Sequence, residues 1–221
     1  MEKASFPAVF KLRRGSGSKN VVLSKSKGHA TKMIKKAFGK GFSALDMTSI
    51  LKERYRKFRL GKESFLGVIK GVIRVFIGVP FKNMSSKEKG YIYFQEFMPN
   101  NDYDQRIIVI GEKAFALKRM VRENDFRASG SGAFYYDKDD FDVECIKIAF
   151  DVNKKLNFQC MTYDFMYDSE RKPVIGEISF AFNPIAYVDC PGYWDSDLNW
   201  HQGKVAFQDW MLEDLLNIHN D

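Results

Sequence analysis

"MTYDFMYDSERKPVIGEISFAFNP", residues 161–184, carries two carboxylates, Asp164 and Glu177, in otherwise apolar surroundings. The runs FQCMTYDFMYD (158–168) and PVIGEISF (173–180) are rich in aromatic and β-branched residues, and SERK lies between them. That pattern predicts two strands joined by a turn. Such a hairpin sets Asp164 and Glu177 facing each other, with Phe165, Met166, Ile175 and Ile178 as neighbours. Burying an unpaired carboxylate is costly, so an acid amid apolar residues needs a reason. A divalent cation reconciles two such acids, and oxygen ligands of this kind suit magnesium. The competing explanation is that both acids face solvent or pair with Lys or Arg.

Outward from this hairpin the pattern alternates between strands and helices. DVECIKIAFDVNKKL (142–156) has apolar residues at 143, 146, 148, 149, 152 and 156, near helical period, with Asp140 or Asp142 as cap. YIYFQEFM (91–98), QRIIVIG (105–111) and KAFALKRM (113–120) read as strands, the last two joined by a tight Gly-Glu turn, and NDFRASGSG (124–132) as a loop. The tail from His201 to Asp221 reads as a final helix. Near the start, strands at 6–12 and 20–26 form a hairpin around a glycine-serine loop. A basic helix is expected over 28–42, ended by Gly39 or Gly41, and a second over 43–66. Residues 67–81 have apolar positions at mixed spacing, with Gly67, Gly71 and Gly78, which leaves helix and strand both open, and 85–90 reads as a loop. The expected class is α+β with antiparallel sheets in two lobes, a small basic one at 1–90 and a larger one at 91–221.

The charge is split between these halves. Residues 1–90 hold 22 basic and 5 acidic side chains, a net of +17; residues 91–221 hold 13 and 23, a net of −10. One half suits polyanions and the other suits cations. No zinc-finger spacing, basic heptad helix or aromatic RNA-binding strand is present, so nucleic acid is not the expected partner. Cys145, Cys160 and Cys190 are odd in number and form no CxxC pair. They predict free thiols used in packing and a reducing, cytoplasmic compartment. The first residues lack the continuous apolar core of a signal peptide. The run FLGVIKGVIRVFIGVPF (65–81) is interrupted by Lys70 and Arg74 and is too short and charged for a membrane span.

Three features point to phosphate chemistry. VFKLRRGSGSKNVVL (9–23) sets Gly15, Ser16, Gly17 and Ser18 after a strand bearing Lys11. Glycine lets backbone amides approach phosphate oxygens, and a lysine adds a point charge. The acid pair supplies the cation site. Arg106, Arg119 and Arg127 lie beside strand ends, where fixed guanidinium groups can clamp a γ-phosphate or an acyl-phosphate.

The order of these motifs resembles the ATP-grasp superfamily: a lysine strand and glycine-serine loop, then QEFM, a D-x-R and IG hairpin, KR, DFRAS, and a terminal acid pair. The likeness covers roughly 6–185 and is strongest to carboxylate–amine ligases of the glutathione synthetase and ribosomal-protein glutamate ligase type. CPGYWDSDLNWHQG (190–203) is similar to ATP-grasp proteins found with surface-polysaccharide biosynthesis genes. The resemblance implies two lobes with antiparallel sheets clasping ATP. Lys11 would contact the α- and β-phosphates under the 15–18 loop. Gln95 or Glu96 would meet the adenine amine, with the backbone of Phe97 and Met98 on the ring edge and Asp104 at the ribose. Asp164 and Glu177 would hold Mg2+, with Ser179 in the place of the family's usual Asn and Asn183 as a substitute. Arg119 and Arg127 would stabilise an acyl-phosphate or tetrahedral intermediate. Ser129 stands where many relatives carry Asn.

The expected activity is therefore ATP- and Mg2+-dependent ligation of a carboxylate to an amine or sugar-linked acceptor. Relatives carry a further N-terminal domain with another phosphate-binding lysine; set against them, the sequence reads as a fragment, a short gene product, or a protein whose missing lobe comes from a partner. The alternatives are a nucleotide-binding module without turnover, and a basic adaptor for phosphate or membrane. The basic segment 43–90 reads as an insertion with a solvated face, or as a platform for an anionic partner, with peripheral membrane contact through 43–81.

Overall fold

The computed structural model describes residues 4–13, 21–43, 51, 54–55, 58–59, 61, 64–77 (backbone only for 74–77), 87–122, 125–128 and 133–216. The chain divides into two compact units, Met1–Phe97 and Met98–Asp221. The expected boundary at residue 90 falls ahead of a strand that pairs within the first unit, so residues 91–97 belong with that unit.

The first unit is built on a three-stranded antiparallel sheet in which β1 (Ala8–Lys11) lies between β2 (Val22–Ser24) and β3 (Tyr93–Glu96). The expected hairpin is present, with Ala8 opposite Ser24 and Phe10 opposite Val22. Its loop residues Gly15, Ser16, Gly17 and Ser18 lie outside the described residues. Helix α1 (Lys27–Phe38) starts where the Ser26 hydroxyl accepts from the His29 N–H and ends at Gly39. Ala30, Met33 and Ala37 recur at helical spacing and are buried, Met33 and Ala37 forming a core with Phe10 and Phe42. Helix α2 (Phe65–Ile77) occupies most of the stretch whose spacing leaves helix and strand both open, and takes in the last two residues of the expected 43–66 helix. Within 43–63, Leu51, Arg54, Tyr55, Phe58 and Arg59 are helical.

The second unit is a seven-stranded antiparallel sheet. Its strands are β4 (Tyr103–Ile110), β5 (Lys113–Met120), β6 (Phe134–Tyr135), β7 (Cys160–Tyr167), β8 (Pro173–Ser179), β9 (Gly192–Asp195) and β10 (Trp200–Gln202). They run in the order β10-β9-β5-β4-β7-β8, with β6 on β5. Helix α3 (Val143–Leu156) begins at Asp142, whose carboxylate accepts from the Glu144 N–H. Ile107 and Val109 of β4 and Ala114 and Ala116 of β5 face its Cys145, Ile146 and Ala149. Ile108, Ile110, Phe115 and Leu117 point the other way, against Tyr187, Cys190, and Phe207 and Trp210 of α4 (Phe207–Leu216). The run RIIVI is apolar without alternation because β4 is covered on both faces. On the α3 face, buried Gln105 donates to the Tyr167 hydroxyl at 3.0 Å and accepts from the Asp142 N–H at 3.1 Å, which ties the start of α3 to the sheet.

The helix expected from His201 is present but starts later, because His201 and Gln202 belong to a strand. Residues 192–202 form the β9–β10 hairpin, and α4 begins only at Phe207. A side chain at Gly192 would put its Cβ 2.5 Å from Trp200 Cζ2 and closer still to the His201 carbonyl oxygen. Gly192→Ala is therefore expected to destabilise the protein by about 1–3 kcal/mol through overpacking. Urea unfolding of the variant beside the parent measures this.

Candidate functional site

Alternation along the strands puts Asp104 and Arg106 of β4, Arg119 of β5 and Asp164 of β7 on one sheet face, the same face as Ile108 and Leu117. That face is apolar under α4 and charged toward its other end. Register fixes the neighbours: Asp104 lies opposite Arg119, Arg106 opposite Asp164, and Asp164 opposite Glu177 of β8.

The four charged groups interlock. Arg106 clasps Asp164 through Nε–Oδ1 at 2.5 Å and Nη2–Oδ2 at 2.6 Å. Arg119 clasps Asp104 through Nε–Oδ1 and Nη2–Oδ2, both at 2.6 Å, and its Nη2 also donates to Asp164 Oδ2 at 2.9 Å. Two carboxylates and two guanidinium groups sum to zero charge, and bidentate pairing is the strong form of such contacts. The Arg119 side chain is only 7% exposed and that of Asp164 13%. Burial by itself would push the Asp164 carboxyl up, but the hydrogen bonds and charges of Arg106 and Arg119 outweigh it and hold Asp164 below the usual carboxylate range. At Asp104 burial wins over Arg119, and its carboxyl is raised. Burial would lower Arg119, yet Asp164 and Asp104 together raise it.

A bulge in β8 sets the position of Glu177. Asp164 pairs with Glu177 but the next residue, Phe165, pairs with Ile175, which leaves Gly176 as the extra residue. Regular alternation would put 175 and 177 on the same face. The bulge instead lets Ile175 pack with the core on the α3 side while Glu177 stays exposed opposite Asp164.

Of the other expected site residues, Lys11, Gln95, Glu96 and Phe97 belong to the first unit, while Ser179 lies opposite Thr162 beside the charged cluster. Lys11 ends β1 opposite Tyr93, and Gln95 and Glu96 lie in β3 opposite Val9 and Ala8. Phe97 and Met98 follow at the division between the two units. Asp104, expected at the ribose, is taken up by Arg119. Arg127 is not part of the interlocked four: its Nε and Nη2 hold Asp125 at 2.9 and 2.6 Å. Ser129 lies outside the described residues. Ser179 Oγ donates to the Ala181 carbonyl at 3.0 Å, and Asn183 Oδ1 accepts from the Ile185 N–H at the start of a short 3-10 turn (Pro184–Tyr187).

Two groups that sequence reasoning did not single out adjoin the charged cluster. Tyr187 is buried with no hydrogen-bond partner for its hydroxyl among the described residues, and it lies close enough to Arg106, Asp164 and Arg119 to feel their charges. Thr162, two residues before Asp164 on the same face, likewise keeps a buried hydroxyl without a partner. The signal for Thr162 was present in the strand alternation of MTYDFMY. Nothing in the sequence pointed to Tyr187, which reaches the sheet from the turn after β8. The cysteines behave as packing residues. Burial pushes the thiols of Cys145 and Cys190 up to about 12 and that of Cys160 up to about 11.

An ionised carboxylate offers about four acceptor positions. Three arginine N–H groups reach Asp164, one on Oδ1 and two on Oδ2. The residues therefore fit an oxygen-seeking cation between Glu177 and Oδ1 of Asp164, which face each other across β7 and β8. Among the described residues, no group of three or more His, Cys, Asp and Glu side chains gathers to hold a metal by itself.

No protein-family model matches the chain, and no curated protein matches it. Among solved structures it is similar to the crystal structure of the biotin carboxylase subunit of pyruvate carboxylase, with 12% identity and a TM-score of 0.34. The match covers 96% of this chain and 37% of that one, so the chain spans well under half of its length. A superposition this loose fixes neither family nor activity.

Removing the Asp164 carboxylate leaves the half-buried Arg106 without its carboxylate and the buried Arg119 with Asp104 alone. Asp164→Ala should cost about 3–5 kcal/mol of stability. Because the folded pKa of Asp164 is depressed, its stabilisation is present above the unfolded value of about 3.9 and is lost as pH falls through the folded value. The raised Asp104 acts with opposite sign. Asp125 and Asp195 are depressed as well, so denaturation midpoints measured from pH 6 downward should show an acid limb in the parent that Asp164→Asn makes shallower.

Proposed function

We propose that the protein is an ATP- and Mg2+-dependent ligase of ATP-grasp type that joins a carboxylate to an amine or similar nucleophile. The observation that carries this reading is the pairing of Asp164 with Glu177 across β7–β8, on the face that bears Arg106 and Arg119. The motif order of the sequence supplies the family expectation, with Lys11 as phosphate contact and Gln95 to Met98 as the adenine-binding strand.

In this reading a substrate carboxylate oxygen attacks the γ-phosphorus of ATP, and ADP leaves. The nucleophile then attacks the acyl carbon, and inorganic phosphate leaves. Glu177, with Oδ1 of Asp164, would hold the magnesium that offsets the phosphate charge. The guanidinium groups of Arg106 and Arg119 supply fixed positive charge already oriented by Asp104 and Asp164, so no side chain has to reorganise as charge develops. The likeness of CPGYWDSDLNWHQG to proteins of surface-polysaccharide assembly leads us to place the acceptor among glycan precursors, with the enzyme acting on the cytoplasmic side.

One observation favours a second reading. The arginines engage both oxygens of Asp164, as expected of a nucleotide-binding module that lacks turnover. Phosphate release with candidate acceptors separates the two.

Mg2+ with ATP is expected to raise the melting temperature, since a ligand that binds only the folded state stabilises it by mass action. Glu177→Gln should abolish the shift while leaving the melting temperature without ligand close to the parent's. No shift in the parent, or an equal shift in the variant, contradicts the proposal.

A further inference from the structure

Helix α2 shows its residues the wrong way round for a helix of a water-facing unit. At about 100° per residue, Phe65, Leu66, Ile69, Val72 and Ile73 fall within an arc of about 120°, and all five are exposed, Phe65 by 62% and Leu66 by 67%. Among the positions of α2 whose burial is described, the buried ones are glycines. Gly67 and Gly71 lie on the opposite side and are turned inward. The Gly67 carbonyl accepts from Arg54 Nη1 at 2.9 Å, and a Cβ at Gly71 would come to 3.0 Å of Arg54 Cδ and 3.3 Å of Leu51 Cδ1. Small residues let the preceding helical residues approach on one side, and the apolar side chains are left on the other.

An exposed apolar strip of this kind marks a docking surface, and its charge setting selects the occupant. Lys70 is exposed at the edge of the strip. In the first ninety residues 22 basic side chains stand against 5 acidic ones. Helix α1 has no acid in its first turn, and Lys27, Lys32, Lys35 and Lys36 on its exposed surface. With 13 residues, α2 is about 20 Å long, short of the roughly 30 Å of a hydrocarbon core. Among the described residues no helix is long and apolar enough to cross a membrane. An exposed apolar strip on a short helix, with Lys70 at its edge and a strongly basic sequence around it, suits the interface plane of an anionic bilayer.

We propose that α2 docks the protein on an anionic membrane surface, with Phe65, Leu66, Ile69, Val72 and Ile73 entering the headgroup–acyl boundary and the basic side chains of the unit meeting lipid phosphates. The proposal is independent of the nucleotide site.

The test is co-sedimentation of the full chain with phosphatidylcholine vesicles, with and without about a third phosphatidylglycerol. The parent should pellet with the anionic vesicles alone and be released as salt is raised. The Ile69→Glu/Ile73→Glu double variant should lose at least about ten-fold in binding, with its circular dichroism and its response to Mg2+ and ATP unchanged. Lys70→Glu, which leaves the apolar strip intact, should weaken binding severalfold. Failure of the parent to pellet overturns the proposal, as does equal binding by the double variant. A parent that self-associates through this strip, and whose dimer rather than lipid binding is lost in the double variant, also overturns it.

Discussion

The interlocked set Asp104–Arg119–Asp164–Arg106 is the constraint on which the rest of the second unit depends. Charges this well buried are tolerated only in balance, because an unpaired one keeps its desolvation penalty without the attraction that offsets it. Each member comes from one of three adjacent strands, so the set is satisfied only when β5, β4 and β7 pair in one register. A one-residue slip of β7 would turn Asp164 to the α3 face, leave Arg106 without its carboxylate and leave Arg119 with Asp104 alone. The polar set thus specifies register at the end of a sheet whose apolar residues alone would accept several.

The same arrangement prepares the chemistry we propose. Asp164 is the shared partner of both arginines, and its position fixes where Glu177 faces through the β7–β8 pairing. The Gly176 bulge reconciles two demands that simple alternation sets against each other: Ile175 in the core and Glu177 across from Asp164. A charged constellation organised before any ligand arrives needs little reorganisation when phosphate charge is brought to it.

Much of this fold was legible in the sequence where local signals agreed with burial. The stretch 142–156 was expected as a capped helix, and α3 spans Val143–Leu156 with Asp142 as its cap. The β4–β5 hairpin and the facing acids followed from alternation and a tight turn. Other parts depend on information that is not local. The β9–β10 hairpin lies in a stretch rich in Asp, Asn and Gly, and becomes a sheet by pairing with β5, Ala114 opposite Trp194. Helix α2 was unreadable because its glycines face inward and its apolar residues outward, the reverse of the usual pattern. At the site, the sequence reading weighed a metal against pairing with Lys or Arg for the two acids. The structure gives Asp164 two arginine partners, one of them 58 residues away. That choice rests on cross-strand register, which spacing along the chain does not reveal.

The central claim is that the Asp104–Arg119–Asp164–Arg106 set is a preformed support for a cation and phosphates held at Glu177. A crystal structure with magnesium and a non-hydrolysable ATP analogue tests it most directly. The account predicts the cation on Glu177 and Oδ1 of Asp164, with the Arg119–Asp104 clasp unbroken. A cation and phosphates bound away from Glu177 would contradict it.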